Sequence, residues 1–252
     1  MEFIISVRDL YKNYGKFEAV KGISFDVKAG EIFGLLGPNG AGKSTTLEII
    51  ETLRDKTSGK VTVAGFDLDT EPEKIKKRIG VQLQTAGFYP GLNLYELIDL
   101  FCGLYNTHVD ANELLEMVNL KEKGKNKYKE MSGGQKQRFS IATTLINKPE
   151  LIFLDEPTTG LDPQARRNLW ELIKKIRANG TTVIITTHYM DEAEYLCDRV
   201  AIIDEGRTIA IASPEKLIDD LLETGFERPQ KTKGANLEDV FLHMTGKDLR
   251  EG

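Results

Sequence analysis

Apolar positions along this chain follow two periods, and the switches between them mark its elements. Over the first thirty residues they alternate and turn like antiparallel strands, with runs at 3–7 and 20–27, a turn at 13–16 and a stop at Ala29-Gly30. Residues 31–36 form a short apolar run of buried-strand length that enters a glycine-rich loop. Helical spacing follows over 43–53, where Leu47, Ile50 and Leu53 share a face. Ser58-Gly59 breaks that pattern, 61–63 resumes a strand, and Thr70 with Glu73 has the form of a capping box opening a short basic helix through Lys77. From Leu94 to roughly Met131 the pattern is helical without a convincing strand, over 94–105 and 111–118, which reads as a helical insertion.

Strand–helix alternation returns afterwards. Ser132 with Gln135 predicts a capped helix over 133–147, 151–154 is a strand, and Asp162 caps a helix with Pro163 at its first position. Strands at 182–187 and 199–204 flank a helix over 189–196, and Ser213-Pro214 opens another to about Leu222. Residues 224–234 are polar and read as a linker before a terminal helix over 237–244. Such alternation predicts an α/β fold class, a largely parallel sheet covered by helices.

Composition narrows the options. A length of 252 residues accommodates one large domain or two unequal lobes. The formal net charge of −5 weighs against a dedicated nucleic-acid binder, so no nucleic-acid partner is expected. No apolar run approaches the roughly 20 residues of a membrane-spanning helix. Met1-Glu2-Phe3 lacks the basic-then-apolar opening of a signal peptide. The cysteines Cys102 and Cys197 and the three histidines are scattered, so a structural metal site is not expected, and a reduced, cytoplasmic setting is. Any metal is expected to arrive with a nucleotide.

That nucleotide is expected at Gly37-Pro38-Asn39-Gly40-Ala41-Gly42-Lys43-Ser44, which fits G-x-x-x-x-G-K-[ST] between a strand and a helix. Glycines let the backbone turn its N–H groups toward phosphate oxygens, and the helix beyond adds its positive dipole end. Lys43 supplies a cation to the β- and γ-phosphates, the Ser44 hydroxyl is the Mg²⁺ ligand, and Thr45 completes the binding segment. Alone, this motif does not choose between kinases, GTPases and ATPases.

A second unusual string, Met131-Ser132-Gly133-Gly134-Gln135, precedes Leu151-Ile152-Phe153-Leu154-Asp155-Glu156. With the phosphate loop before them, these closely resemble the nucleotide-binding domain of ABC transporters, in the family's order and spacing from about Phe3 to Ser213. The resemblance implies a P-loop ATPase with a RecA-like core, an N-terminal antiparallel β-subdomain and an inserted α-helical subdomain. The ATPase domain is then expected over 1–223, its helical subdomain at about 88–145, and a linker and short tail over 224–252. The same resemblance implies the residue roles. Asp155 would hold Mg²⁺, and Glu156 would act as general base on the attacking water. Gln84 would contact Mg²⁺ and that water. His188 would stabilise the γ-phosphate, and Asp162 would lie at a contact between protomers. Tyr14 would stack on adenine. Ser132, Gly133, Gly134 and Gln135 would face ATP bound to a second copy. Because the chain carries all these groups itself, a homodimer is expected.

Weaker signals have plainer readings. His108 and His243 lack companions at ligand spacing, the two cysteines suit small apolar packing, and the lysines between Lys121 and Lys129 suit a solvated loop better than a lipid contact. The segment Gly87-Phe88-Tyr89-Pro90-Gly91-Leu92 either packs under the helices or, as the resemblance implies, borders the groove for a membrane permease, so the permease contact is expected from Gln84 to Leu92. Lacking a span of its own, the chain is expected to serve a separate permease, peripheral to the inner face of the cell membrane. A soluble ABC ATPase acting on nucleic acid or ribosomes is the alternative. The tail from Asn236 to Leu242, followed by Thr245 to Arg250, resembles the ending of ABC-2-type exporter ATPases, the group that includes drug-resistance and sodium-extrusion pumps.

Overall fold

The computed structural model describes residues 3–82, 87–226, 235, 240, 243 and 244. Gln84 lies outside the described residues, as does most of the terminal helix expected over 237–244. The strands sort into two sheets. Strands β1 (Phe3–Tyr14), β2 (Phe17–Lys28), β4 (Ser58–Val63) and β5 (Phe66–Asp67) form an antiparallel sheet in the order β2-β1-β4-β5. Strands β3 (Ile32–Leu36), β6 (Ile79–Gln82), β7 (Leu151–Asp155), β8 (Thr182–Thr187), β9 (Arg199–Asp204) and β10 (Arg207–Ala212) form the second, ordered β10-β9-β3-β8-β7-β6. All its neighbours are parallel except β10 against β9.

Apart from β10, the strands of the second sheet are buried on both faces, which is why they read as apolar runs rather than alternations. From β3, Phe33 and Leu35 pack toward the antiparallel sheet and helix α1 (Lys43–Ile50), whereas Ile32 and Leu36 pack toward the helices that follow β6. Among the latter are α3 (Leu94–Tyr105), α4 (Ala111–Met117), α5 (Gly133–Thr144), α6 (Pro163–Ala178), α7 (Met190–Leu196) and α8 (Pro214–Glu223). Cys102 and Cys197 are free and buried in this second core.

Several local expectations need correcting. Ser58-Gly59 is the start of β4 and not a break, because Gly59 lets that strand pass against the backbone of Asp9, where a Cβ could not fit. Helix α1 stops at Ile50: Thr52 adopts a left-handed φ of 65° and Leu53 swings out to solvent. Thr70 caps nothing. Its hydroxyl donates to Asp67 at 3.2 Å, and α2 (Pro72–Lys76) starts one residue later from Glu71, with Pro72 in its first turn. Helix α5 ends at Thr144, short of 147, where Thr143 and Thr144 turn their hydroxyls back onto the Ser140 and Ile141 carbonyls, each at 2.7 Å. Strand β10 was not expected. A turn with Glu205 at φ 48° and Gly206 at φ 78° folds it back on β9, and its half-buried face masks the apolar signal.

Candidate functional site

Parallel strands carry their ligands beyond their carboxyl ends, and here those ends converge. In register, Leu36 of β3 faces Thr187 of β8, and Asp155 of β7 faces Thr186 of β8. The chain leaving β3 makes the loop 37–44. Its tightness is set by Gly37, whose Cβ would strike the Ile203 carbonyl, and by Gly42, which caps α1 at φ 99° with a Cβ position 2.7 Å from the Ala19 carbonyl. Asn39 and Gly40 are exposed at the loop's tip, while Ala41 is buried at its base.

Lys43 is buried, and its ammonium donates to the carbonyls of Gly37 at 2.8 Å and Pro38 at 3.1 Å. Burial pushes that ammonium below the ordinary lysine range, and the charges of Glu156 and Asp155 oppose the fall. Glu156 Oε1 is 3.7 Å from Lys43 Nζ and 3.4 Å from His188 Nδ1. Thr159 donates to the other Glu156 oxygen at 3.2 Å. The backbone at Glu156 is left-handed, with φ 46°, and its N–H donates to the hydroxyl of Thr186 at 2.9 Å. A non-glycine residue in that region is held there by its surroundings. Asp155 accepts from Ser44 Oγ at 3.2 Å and from Thr186 Oγ1. Serine hydroxyl and carboxylate thus meet at the base of the loop, a hard-oxygen pair of the kind that suits Mg²⁺ when water and phosphate supply the remaining ligands.

The glycine pair of the second motif sits elsewhere. Ser132 caps α5 through a reciprocal box, Gln135 N–H donating to Ser132 Oγ at 3.3 Å and Ser132 N–H donating to Gln135 Oε1 at 3.0 Å. Asp162 caps α6 by accepting from Ala165 N–H at 2.8 Å. Both helix starts open into one cleft of about 350 Å³, lined by residues that include Ser132, Gly133, Gly134, Arg138 and Asp162. No residue of the phosphate loop lines that cleft. Tyr14 ends β1, partly exposed, with Lys12 and Arg54 at 5.1 and 5.4 Å from its ring centre.

Known proteins bear on this arrangement. The profile of the ABC transporter family matches residues 20–159. The linearmycin resistance ATP-binding protein of Bacillus subtilis is 45% identical over 223 residues, covering 86% of this chain and 72% of that protein. The chain belongs to the ABC transporter family. As a member it is an ATPase. The Nod factor export ATP-binding protein I of Burkholderia orbicola is 36% identical over 299 aligned positions, with 98% of each chain covered. Those positions outnumber this chain's 252 residues, so that relative carries residues with no counterpart here. Among solved structures, the ATP-binding subunit of an ABC transporter superposes with a TM-score of 0.81 at 28% identity, covering 96% of this chain and 99% of that one. A dimeric ATP-binding cassette in a post-hydrolysis state with ADP and phosphate gives 0.73 at 29% identity, covering 83% and 98%.

Within this ABC ATPase the geometry adds residues that the sequence reading passed over. Thr186, fully buried, links Asp155 to the Glu156 backbone. Its only signal was a polar pair closing an apolar strand. Thr159 steadies Glu156. Phe17, 64% exposed across the hairpin from Tyr14, offers a second aromatic face beside it. Lys43→Ala is expected to weaken ATP binding by about tenfold or more, the scale of one charge-assisted contact at roughly 1.5–3 kcal/mol. Titration with a fluorescent ATP analogue checks this, and unchanged affinity would count against Lys43 as the phosphate ligand.

Proposed function

We propose that this chain is the ATP-hydrolysing motor of an exporter, working as a pair of copies on a separate membrane permease. The observation that carries the reading is the meeting of Lys43, Ser44, Asp155, Glu156 and His188 at the ends of three adjacent strands. The relatives named for linearmycin resistance and Nod factor export support the direction. The ATPase unit spans 1–223, with residues of about 88–145 as its inserted helical part and 224–252 as a tail. No helix among the described residues is long and apolar enough to cross a membrane, which fits a peripheral subunit at the cytoplasmic face.

The roles follow from the contacts. Phosphates enter against the amides of Gly40, Ala41, Gly42, Lys43, Ser44 and Thr45. Lys43 exchanges the Gly37 and Pro38 carbonyls for phosphate oxygens, a trade of neutral acceptors for charged ones. Mg²⁺, held by Ser44 and Asp155 with Gln84, would offset the negative charge of the β- and γ-phosphates. Glu156 accepts a proton from the attacking water, and His188, beside it, donates toward the γ-phosphate. Tyr14 takes the adenine. The cleft of Ser132, Gly133, Gly134 and Gln135 supplies helix-terminal amides to the nucleotide of the other copy, with Asp162 at the contact.

Within the segment from Gln84 to Leu92, we assign the permease contact to the exposed side chains. Phe88 belongs to the interior: its ring packs on Tyr128 at 4.8 Å, Phe139 at 5.4 Å and Phe101 at 5.8 Å. Tyr89 is 66% exposed next to it. Tyr89→Ala is therefore expected to weaken association with the permease by about tenfold, the scale of an aromatic interface anchor, and to leave the ATPase rate of the isolated chain within about twofold. Co-purification from detergent-solubilised membranes measures the first and phosphate release the second. Undiminished co-purification would move the permease contact elsewhere.

A further inference from the structure

Glu192 is a carboxylic acid with no exposure to solvent, placed in α7 four residues after His188. The indole N–H of Trp170 in α6 donates to its Oε1 at 3.0 Å. Its Oε2 has no well-directed partner. Burial pushes this carboxyl above the ordinary range, while the nearby hydroxyls of Thr187 and Thr158, the Trp170 hydrogen bond and the charge of Arg166 oppose the rise. Those neighbours come from separate parts of the site. Thr187 ends β8 directly before His188, and its hydroxyl accepts from the N–H of Tyr189 at 3.0 Å. Thr158, fully buried, stands between Glu156 and Thr159, and its carbonyl accepts from Leu161 N–H at 3.2 Å. Trp170 lies on the helix that Asp162 caps.

We propose that Glu192 is a positioning residue for hydrolysis, a buried tie that holds the loop bearing Glu156 and Asp162 in register with the loop bearing His188. Burying a carboxyl is unfavourable unless its bonds return the difference, so a solvent-free acid between two catalytic loops needs a reason that an apolar residue would not satisfy. The tie makes the base and the histidine respond as one body when Asp162 meets a second copy. It rests on the roles assigned above to Glu156 and His188.

The molecule contains its own reporter. Trp170 is the only tryptophan in the chain and donates to Glu192 directly, so its fluorescence reads the state of the tie. In the full-length chain, Glu192→Ala is expected to lower kcat about tenfold, equivalent to about 1.4 kcal/mol, with KM and the affinity for a fluorescent ATP analogue within about twofold of the parent. Glu192→Gln keeps the acceptor for Trp170 and is expected to retain at least about half of kcat. Adding Mg-ATP is expected to shift Trp170 emission in the parent and in Glu192→Gln but not in Glu192→Ala. Should the alanine variant not fold, Trp170→Phe removes the same bond and is expected to lower kcat about threefold at unchanged affinity. A normal kcat in Glu192→Ala or Trp170→Phe overturns the tie, as does a parallel loss of affinity and kcat, or a glutamine variant as impaired as alanine. Glu156→Gln, measured alongside, separates the two failures. Normal turnover there removes the site reading, whereas an inactive Glu156→Gln beside a normal Glu192→Ala removes only the tie.

Discussion

Glu156→Gln is expected to abolish turnover while ATP binding survives, with kcat falling at least about 100-fold, the contribution typical of a positioned general base. Glutamine matches glutamate in length, so Thr159 and His188 keep a partner at the same place, and the left-handed backbone at φ 46° is asked to hold a side chain of the same shape. What disappears is the proton acceptor. Since the other groups that touch nucleotide are untouched, ATP is expected to persist between two copies, and size-exclusion chromatography with Mg-ATP should show a dimer that the parent chain forms only transiently. Phosphate release and elution volume read the two halves separately. Normal phosphate release would remove Glu156 from the base role; loss of release without an ATP-dependent dimer would break the link between the 37–44 loop and the Ser132 cleft.

That link is where sequence and structure divide the work. Motifs placed on strand ends and helix starts were legible, because glycine loops, caps and apolar strands leave local signatures: the Ser132–Gln135 box and the Asp162 cap needed only spacing. Residues that act across strands were not. Thr186 reaches Asp155 and Glu156 only because β8 lies in register beside β7, and no local pattern reveals that register. Glu192 looks from the sequence like one more acid on a polar helix; only the seating of α7 against α6 buries it. The Thr70 box failed for the opposite reason, a good local pattern losing to a nearer acceptor, Asp67, and to Pro72. Phe88 and Tyr89 are adjacent and alike in composition, yet one fills the interior and the other faces solvent.

Glu51 shows the same blind spot with a larger energetic consequence. It follows α1, is 2% exposed, and its carboxyl is pushed up to about 8 by burial first and then by the charges of Asp155 and Glu48. Its Oε1 has no hydrogen-bond partner. A folded-state value above the unfolded one of 4.5 means that the stability tied to this group is whole below pH 4.5 and is lost as pH rises through about 8. Between those limits the folded protein holds a proton that the unfolded chain has released, at up to about 1.4 kcal/mol per pH unit. Glu51→Gln imitates the protonated acid and removes that dependence. The variant and the parent are expected to melt together near pH 5 and to diverge above it, the variant becoming more stable by a few kcal/mol at pH 8. For a chain of this size that is about 5 °C or more in Tm. Thermal melts across this range decide the matter, and a Tm difference that does not change with pH would mean that Glu51 is ionised in the folded protein throughout.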